Sequence, residues 1–132
     1  DIGFDEIRDN ALIGRKNKIN KLLSETSILN EESFFYINNL NYRVLKLIEI
    51  KKMNEVFNNY EQTLEKIKPP IFWKDKSIYL EQLKKWNLEK LNRAADKIGE
   101  TEVLIRKNSH IKKDIIIKNL TIALSDEAST SS

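Results

Sequence analysis

Few side chains in this sequence could do covalent chemistry, and their spacing does not bring them together. Catalysis needs a nucleophile, a base or a metal held within reach of one another. The single histidine, His110, stands among lysines at an expected helix start. A lone imidazole cannot hold zinc without cysteine partners or a suitably spaced carboxylate cluster, and the sequence offers neither. There is no cysteine, which removes disulfides, thiolate ligands and thiol nucleophiles together. Gly3, Gly14 and Gly99 are isolated, so a glycine-rich phosphate cradle is excluded. Two carboxylate groups remain, Glu31-Glu32 and Glu100-Thr101-Glu102. The first suits a helical first turn, where the dipole favours negative charge, and the second suits a solvated face. The expectation is no catalytic residue, no cofactor, no metal and no enzymatic activity for this chain.

The side chains that stand out are suited to non-covalent binding. Pro69-Pro70-Ile71-Phe72-Trp73-Lys74 is followed by Gln82-Leu83-Lys84-Lys85-Trp86. Each proline lacks an N–H, and the second pushes the first toward extended geometry, so a helix must stop here. Three large apolar residues then arrive in a row, and they must be buried in this domain or in a partner. Tyr79, Leu83 and Trp86 fall at i, i+4 and i+7, one helix face. That placement suits a core or interface position for Trp86 and leaves Lys84 and Lys85 pointing to water. For Trp73, partner contact and intramolecular packing both remain open. The candidate partner-interface residues are Phe72, Trp73 and Trp86, joined by Tyr79, Phe35 and Tyr42. Lys84, Lys85, Lys90 and Arg93 lie close to both tryptophans in sequence, a mixture that can also bind single-stranded nucleic acid.

The 132 residues suffice for one domain able to bury roughly 70% of its unfolded surface. No apolar run approaches the ~20 residues of a membrane span, and no leader pattern opens the chain. No membrane association and a cytoplasmic location are expected. The first residue is Asp rather than Met, so a piece of a longer chain, or a processed one, is expected. Net charge is +3, too mild to argue for nucleic acid alone. Charges balance up to Lys68; the basic excess follows Pro69 and is densest from Arg106 to Lys118. Such a run usually forms a solvated helix face.

Helical periodicity dominates. It predicts an all-α bundle of about five to six helices, one of them long and central. A first helix is expected over Phe4–Ile13, ended by Gly14, and a second over Arg15–Glu25. Asn30 reads as the N-cap of the long helix, Glu31–Asn58, with Phe34, Ile37, Leu40, Val44, Leu47 and Ile48 as its core stripe. Phe35, Tyr42, Leu45 and Ile50 widen its apolar surface. Asn59 caps a short stretch over Tyr60–Ile67. Asp75 reads as the cap of a helix ending near Trp86, and Asn87 as the cap of Leu88–Lys107. Within the latter, Ala94 and Ala95 let a neighbour approach closely. Ser109 would cap a last helix, His110–Ser125, with Ile111, Ile115, Leu120 and Ala123 inward. Domain residues 1–125 would then be followed by a flexible tail, 126–132.

At this point the sequence resembles a known family. Pro69-Pro70-Ile71-Phe72-Trp73-Lys74, the Gln82-to-Trp86 segment, then Leu88, Leu91, Ala94-Ala95, Glu102 and Lys107 in succession are similar to the C-terminal domain of bacterial DNA polymerase III clamp-loader delta subunits. Asp9-Asn10-Ala11-Leu12-Ile13-Gly14 and the Ile19–Leu23 helix look like the opening of that domain. The pattern departs from the family between Asn54 and Lys68 and across Asn108–Lys113. The resemblance implies an oligomerisation domain, in which the helical C-terminal domains of delta, delta-prime and the gamma/tau subunits join in a collar. It further implies AAA+-like parts elsewhere in the parent subunit, one of which contacts the sliding clamp. The loader supports placement of that clamp on primed DNA during replication, and direct DNA contact by this domain is not expected. Two other readings stay open: a small basic helical nucleic-acid-binding domain using Arg106–Lys118, and a free-standing helical adaptor.

Overall fold

The computed structural model describes residues 2–107 and 110–130, and among them all regular structure is helical. Seven α-helices follow in order: α1 (Ile2–Ile13), α2 (Lys16–Ser24), α3 (Ser33–Phe57), α4 (Tyr60–Lys66), α5 (Lys76–Lys85), α6 (Leu88–Lys107) and α7 (Lys113–Ser129). Single 3-10 turns at Asn30–Glu32 and Trp73–Asp75 lead into α3 and α5.

The 25-residue α3 is the central element. It packs against α6, α4, α5, α7 and α1. Tyr36, Ile37, Leu40, Val44, Leu47, Ile48 and Ile50 are buried along it, a stripe too wide for one neighbour to cover. The rest of the core comes from α1 (Phe4, Ile7, Ala11, Leu12), α6 (Leu91, Ala94, Ile98, Ile105) and α7 (Ile116, Ile117, Leu120, Leu124).

Local chemistry explains several helix ends. Gly14 adopts φ +84° and closes α1, a left-handed geometry that glycine tolerates without steric cost. Asn58 does the same after α3, with φ +50°. Asn54 organises the following turn, its Oδ1 accepting from the Asn59 N–H at 2.9 Å and the Thr63 hydroxyl at 2.8 Å. Asn59 caps α4 through the Gln62 N–H at 3.0 Å. Asn87 caps α6 through the Lys90 N–H at 2.8 Å.

Four expectations are corrected. Asn30 is not the cap before α3; Glu32 reaches back to accept the Leu29 N–H at 3.0 Å, because a 3-10 turn precedes the helix. Asp75 makes no side-chain cap; it ends the turn whose N–H bonds back to the Phe72 carbonyl at 2.9 Å. The last helix starts at Lys113 rather than His110. There Asp114 accepts the Ile28 N–H at 2.8 Å, tying the start of α7 to the α2–α3 connection; Ser109 lies outside the described residues. Its inward face is Ile116, Ile117, Leu120, Leu124 and Ala128, while Ile111 and Ile115 are exposed.

The helix also continues past Ser125 to Ser129. Residues Asp126–Ser129 were expected in a flexible tail, but Ala128 is fully buried. Gly14 permits this: a Cβ there would lie 2.9 Å from the Ser129 nitrogen, so only glycine lets α7 lie this close.

Candidate protein-interaction surface

The six aromatic candidates divide into two groups. Trp86 follows α5 and its ring is buried. Its indole N–H donates to the Leu12 carbonyl at 2.8 Å, so its one polar atom is satisfied inside the core. Tyr79 on α5 is also buried. The Arg43 guanidinium stacks 4.0 Å from its ring centroid, and burial pushes the phenol above its usual pKa. Arg43 in turn donates to Asp9 at 2.9 Å and to Gln82 at 3.0 Å. Gln82 closes the circuit by donating to the Asp9 carbonyl at 3.2 Å. This buried network ties α1, α3 and α5 together. Trp86 and Tyr79 are therefore core residues, which corrects their reading as interface anchors: the apolar face of α5 turns inward against α1.

The other four are open to solvent. Phe35, Tyr42 and Phe72 are each 57–58% exposed and Trp73 is 68% exposed. Trp73 is thus not packed within the domain. Its ring stands 5.9 Å from that of Phe72, and the Lys74 ammonium lies 5.4 Å above it. The loop that presents the pair is fixed from behind. Ile67 and Ile71 are buried, and the buried Lys46 donates to the Lys68 carbonyl at 3.1 Å.

Phe35 and Tyr42 belong to a second exposed array on α3, with Leu45 and Val56. At 100° per residue the four lie within about 80° of one another around the helix. Phe35 rests against the edge of the core through Phe4, at 6.3 Å between centroids. Lys46 and Arg43 tie this middle stretch of α3 to the proline loop and to α5.

A third apolar surface was not read from the sequence. Ala95, Gly99, Val103 and Leu104 line an open groove of about 870 Å³ on the outer side of α6. The signal was present as small residues at i and i+4 with Val103 at i+8. Ala94, by contrast, is the alanine that faces the core.

The basic stretch is largely engaged within the domain. Arg106 pairs with Glu102 at 3.1 Å and stacks 4.9 Å from the Phe34 centroid. Lys113 lies 5.5 Å from the same ring, and Lys118 pairs with Asp114 at 3.2 Å. His110 is exposed. Among the described residues no group of three or more His, Asp or Glu side chains is arranged to hold a metal ion, and no helix is long and apolar enough to cross a membrane.

The arrangement offers four aromatic rings that the domain leaves uncovered. No family model, curated protein or solved structure matches the chain.

Proposed function

We propose that this chain is a protein–protein assembly module, and that its specific role is the collar domain of a clamp-loader delta subunit within a DNA polymerase III holoenzyme. The observation that carries the first part is the exposure of Phe35, Tyr42, Phe72 and Trp73 on a domain whose core is already complete without them. Aromatic rings dominate the energetics of protein interfaces, and four of them left more than half exposed cost solubility for little internal gain. The second part rests on the resemblance of the proline-aromatic loop and the helices after it to delta-subunit collar domains. The all-helical architecture, with a long central helix, supports it. In this reading the partners are gamma/tau and delta-prime subunits, and contact with the sliding clamp belongs to other parts of the parent subunit.

The test is to mix the domain with the matching gamma/tau and delta-prime proteins and separate the products by size-exclusion chromatography. Co-elution is expected, with Trp73→Ala weakening it while leaving the melting temperature nearly unchanged. Separate elution of all three proteins at concentrations well above micromolar would reject the clamp-loader assignment. Nucleic-acid binding is the weaker reading, because Arg106 and Lys118 are already paired. It would show as an affinity falling steeply with salt.

A further inference from the structure

The proline loop carries an exposed aromatic pair among more lysines than carboxylates, and the α6 groove carries small and apolar residues beside two carboxylates. Phe72 and Trp73 project from the loop as a pair of knobs. Lys68, Lys74 and Lys76 flank them in sequence with Asp75 among them, and Lys74 lies over the Trp73 ring. The groove has a floor without bulk: nothing lies within 4 Å of where a Gly99 Cβ would be. Asp96 and Glu100 line it beside Ala95 and Gly99, and Lys107 and His110 line it at the C-terminal end of α6. Glu65, on the loop's own flank, supplies the opposite sign for that lysine. Phe72 and Trp73 are both more than half exposed, so the groove does not cover its own chain's knob.

We infer that a second copy of this chain docks head to tail, its Phe72–Trp73 knob entering the α6 groove of the first. Such an interface is heterologous: each copy uses one surface to give and another to receive, so association does not stop at a dimer unless a ring closes. It is also weak. Two part-exposed rings and the groove floor fall short of the roughly 800 Å² per partner of a stable complex. This inference concerns the chain alone and goes beyond the collar reading. A wholly monomeric chain would sink it without touching assembly with sister subunits.

Sedimentation velocity up to roughly 1 mM tests it with two variants and their mixture. The wild-type chain is expected to form dimers and larger species as concentration rises, less so at high salt because the contact pairs opposite charges. Trp73→Ala removes the knob, and Gly99→Arg fills the groove at an open helical position. Each variant alone is expected to associate at least about tenfold more weakly. Their equimolar mixture is expected to recover association but to stop at the dimer, since it holds one working knob and one working groove per pair. Four results would overturn the inference: a monomeric wild-type chain, variants that associate like wild type, a mixture no better than its components, or association indifferent to salt.

Discussion

Trp73 and Trp86 are the same residue type thirteen positions apart, and their surroundings give them opposite roles. Trp86 fills the space between α1 and α5 and spends its N–H on Leu12. Trp86→Ala should cost about 3–5 kcal/mol, read as a lowered midpoint in chemical denaturation. Trp73→Ala should change stability by no more than about 0.5 kcal/mol. Tyr36 makes a further residue-scale prediction. Its hydroxyl lies 2.9 Å from the Thr121 hydroxyl, whose own proton goes to the Ile117 carbonyl at 2.8 Å, so Tyr36 donates. Burial pushes its pKa from 10.0 up to about 12. The folded state therefore favours the protonated phenol. Its contribution is fully present below the unfolded value near 10 and is lost as pH rises toward 12. Denaturation midpoints measured from pH 8 to 12 should fall over that window, and Tyr36→Phe should flatten part of the fall.

At the scale of elements, glycines and lysines set how helices end and meet. Gly14 and Gly99 predict opposite responses. Gly14→Ala forces a Cβ against Ser129 at positive φ and should destabilise by about 1–3 kcal/mol. Gly99→Ala, in an open helix interior, should stabilise by about 0.5–1 kcal/mol. Thermal melts of the two variants check both signs. Lys90 is a buried ammonium that donates to the Lys85 carbonyl at 3.0 Å and the Thr130 carbonyl at 3.3 Å, while lying 5.5 Å from the Trp86 ring centroid. It caps the ends of α5 and α7, where the helix dipole welcomes a cation. Lys51 does the same for the Leu83 carbonyl at 2.8 Å. Lys90→Met should cost about 1.5–3 kcal/mol and raise amide exchange at the end of α7. The helices themselves were legible because periodicity and the caps at Asn59 and Asn87 are local signals. The phase of α7 was not: Ile115-Ile116-Ile117 fits several faces equally well, and contact with α1 and α2 decides among them. The end of α7 was hidden for the same reason, since the polar, small residues from Asp126 onward look frayed until Gly14 is seen beneath Ser129.

At the scale of the whole molecule, the core is complete and a set of rings lies outside it. The sequence showed that the chain has surplus aromatic residues, because Phe72 and Trp73 sit beside two prolines where no helix can bury them. It could not show which aromatics the bundle absorbs. Tyr79 and Trp86 stand at the spacing of one helix face, and such spacing fits a partner or a core equally until α1 is placed against it. The α6 groove was missed because the spacing of Ala95, Gly99 and Val103 fits a close helix contact as well as an uncovered surface until α3 and α7 are placed. The central claim is that Trp73 is a docking residue held ready on a finished fold. A Trp86→Phe variant leaves Trp73 as the sole indole, and acrylamide quenching of its fluorescence reports exposure directly. Quenching should be strong in the free domain at micromolar concentration and fall sharply when gamma/tau and delta-prime subunits are added. A complex that forms while Trp73 stays as quenchable as before would contradict the account.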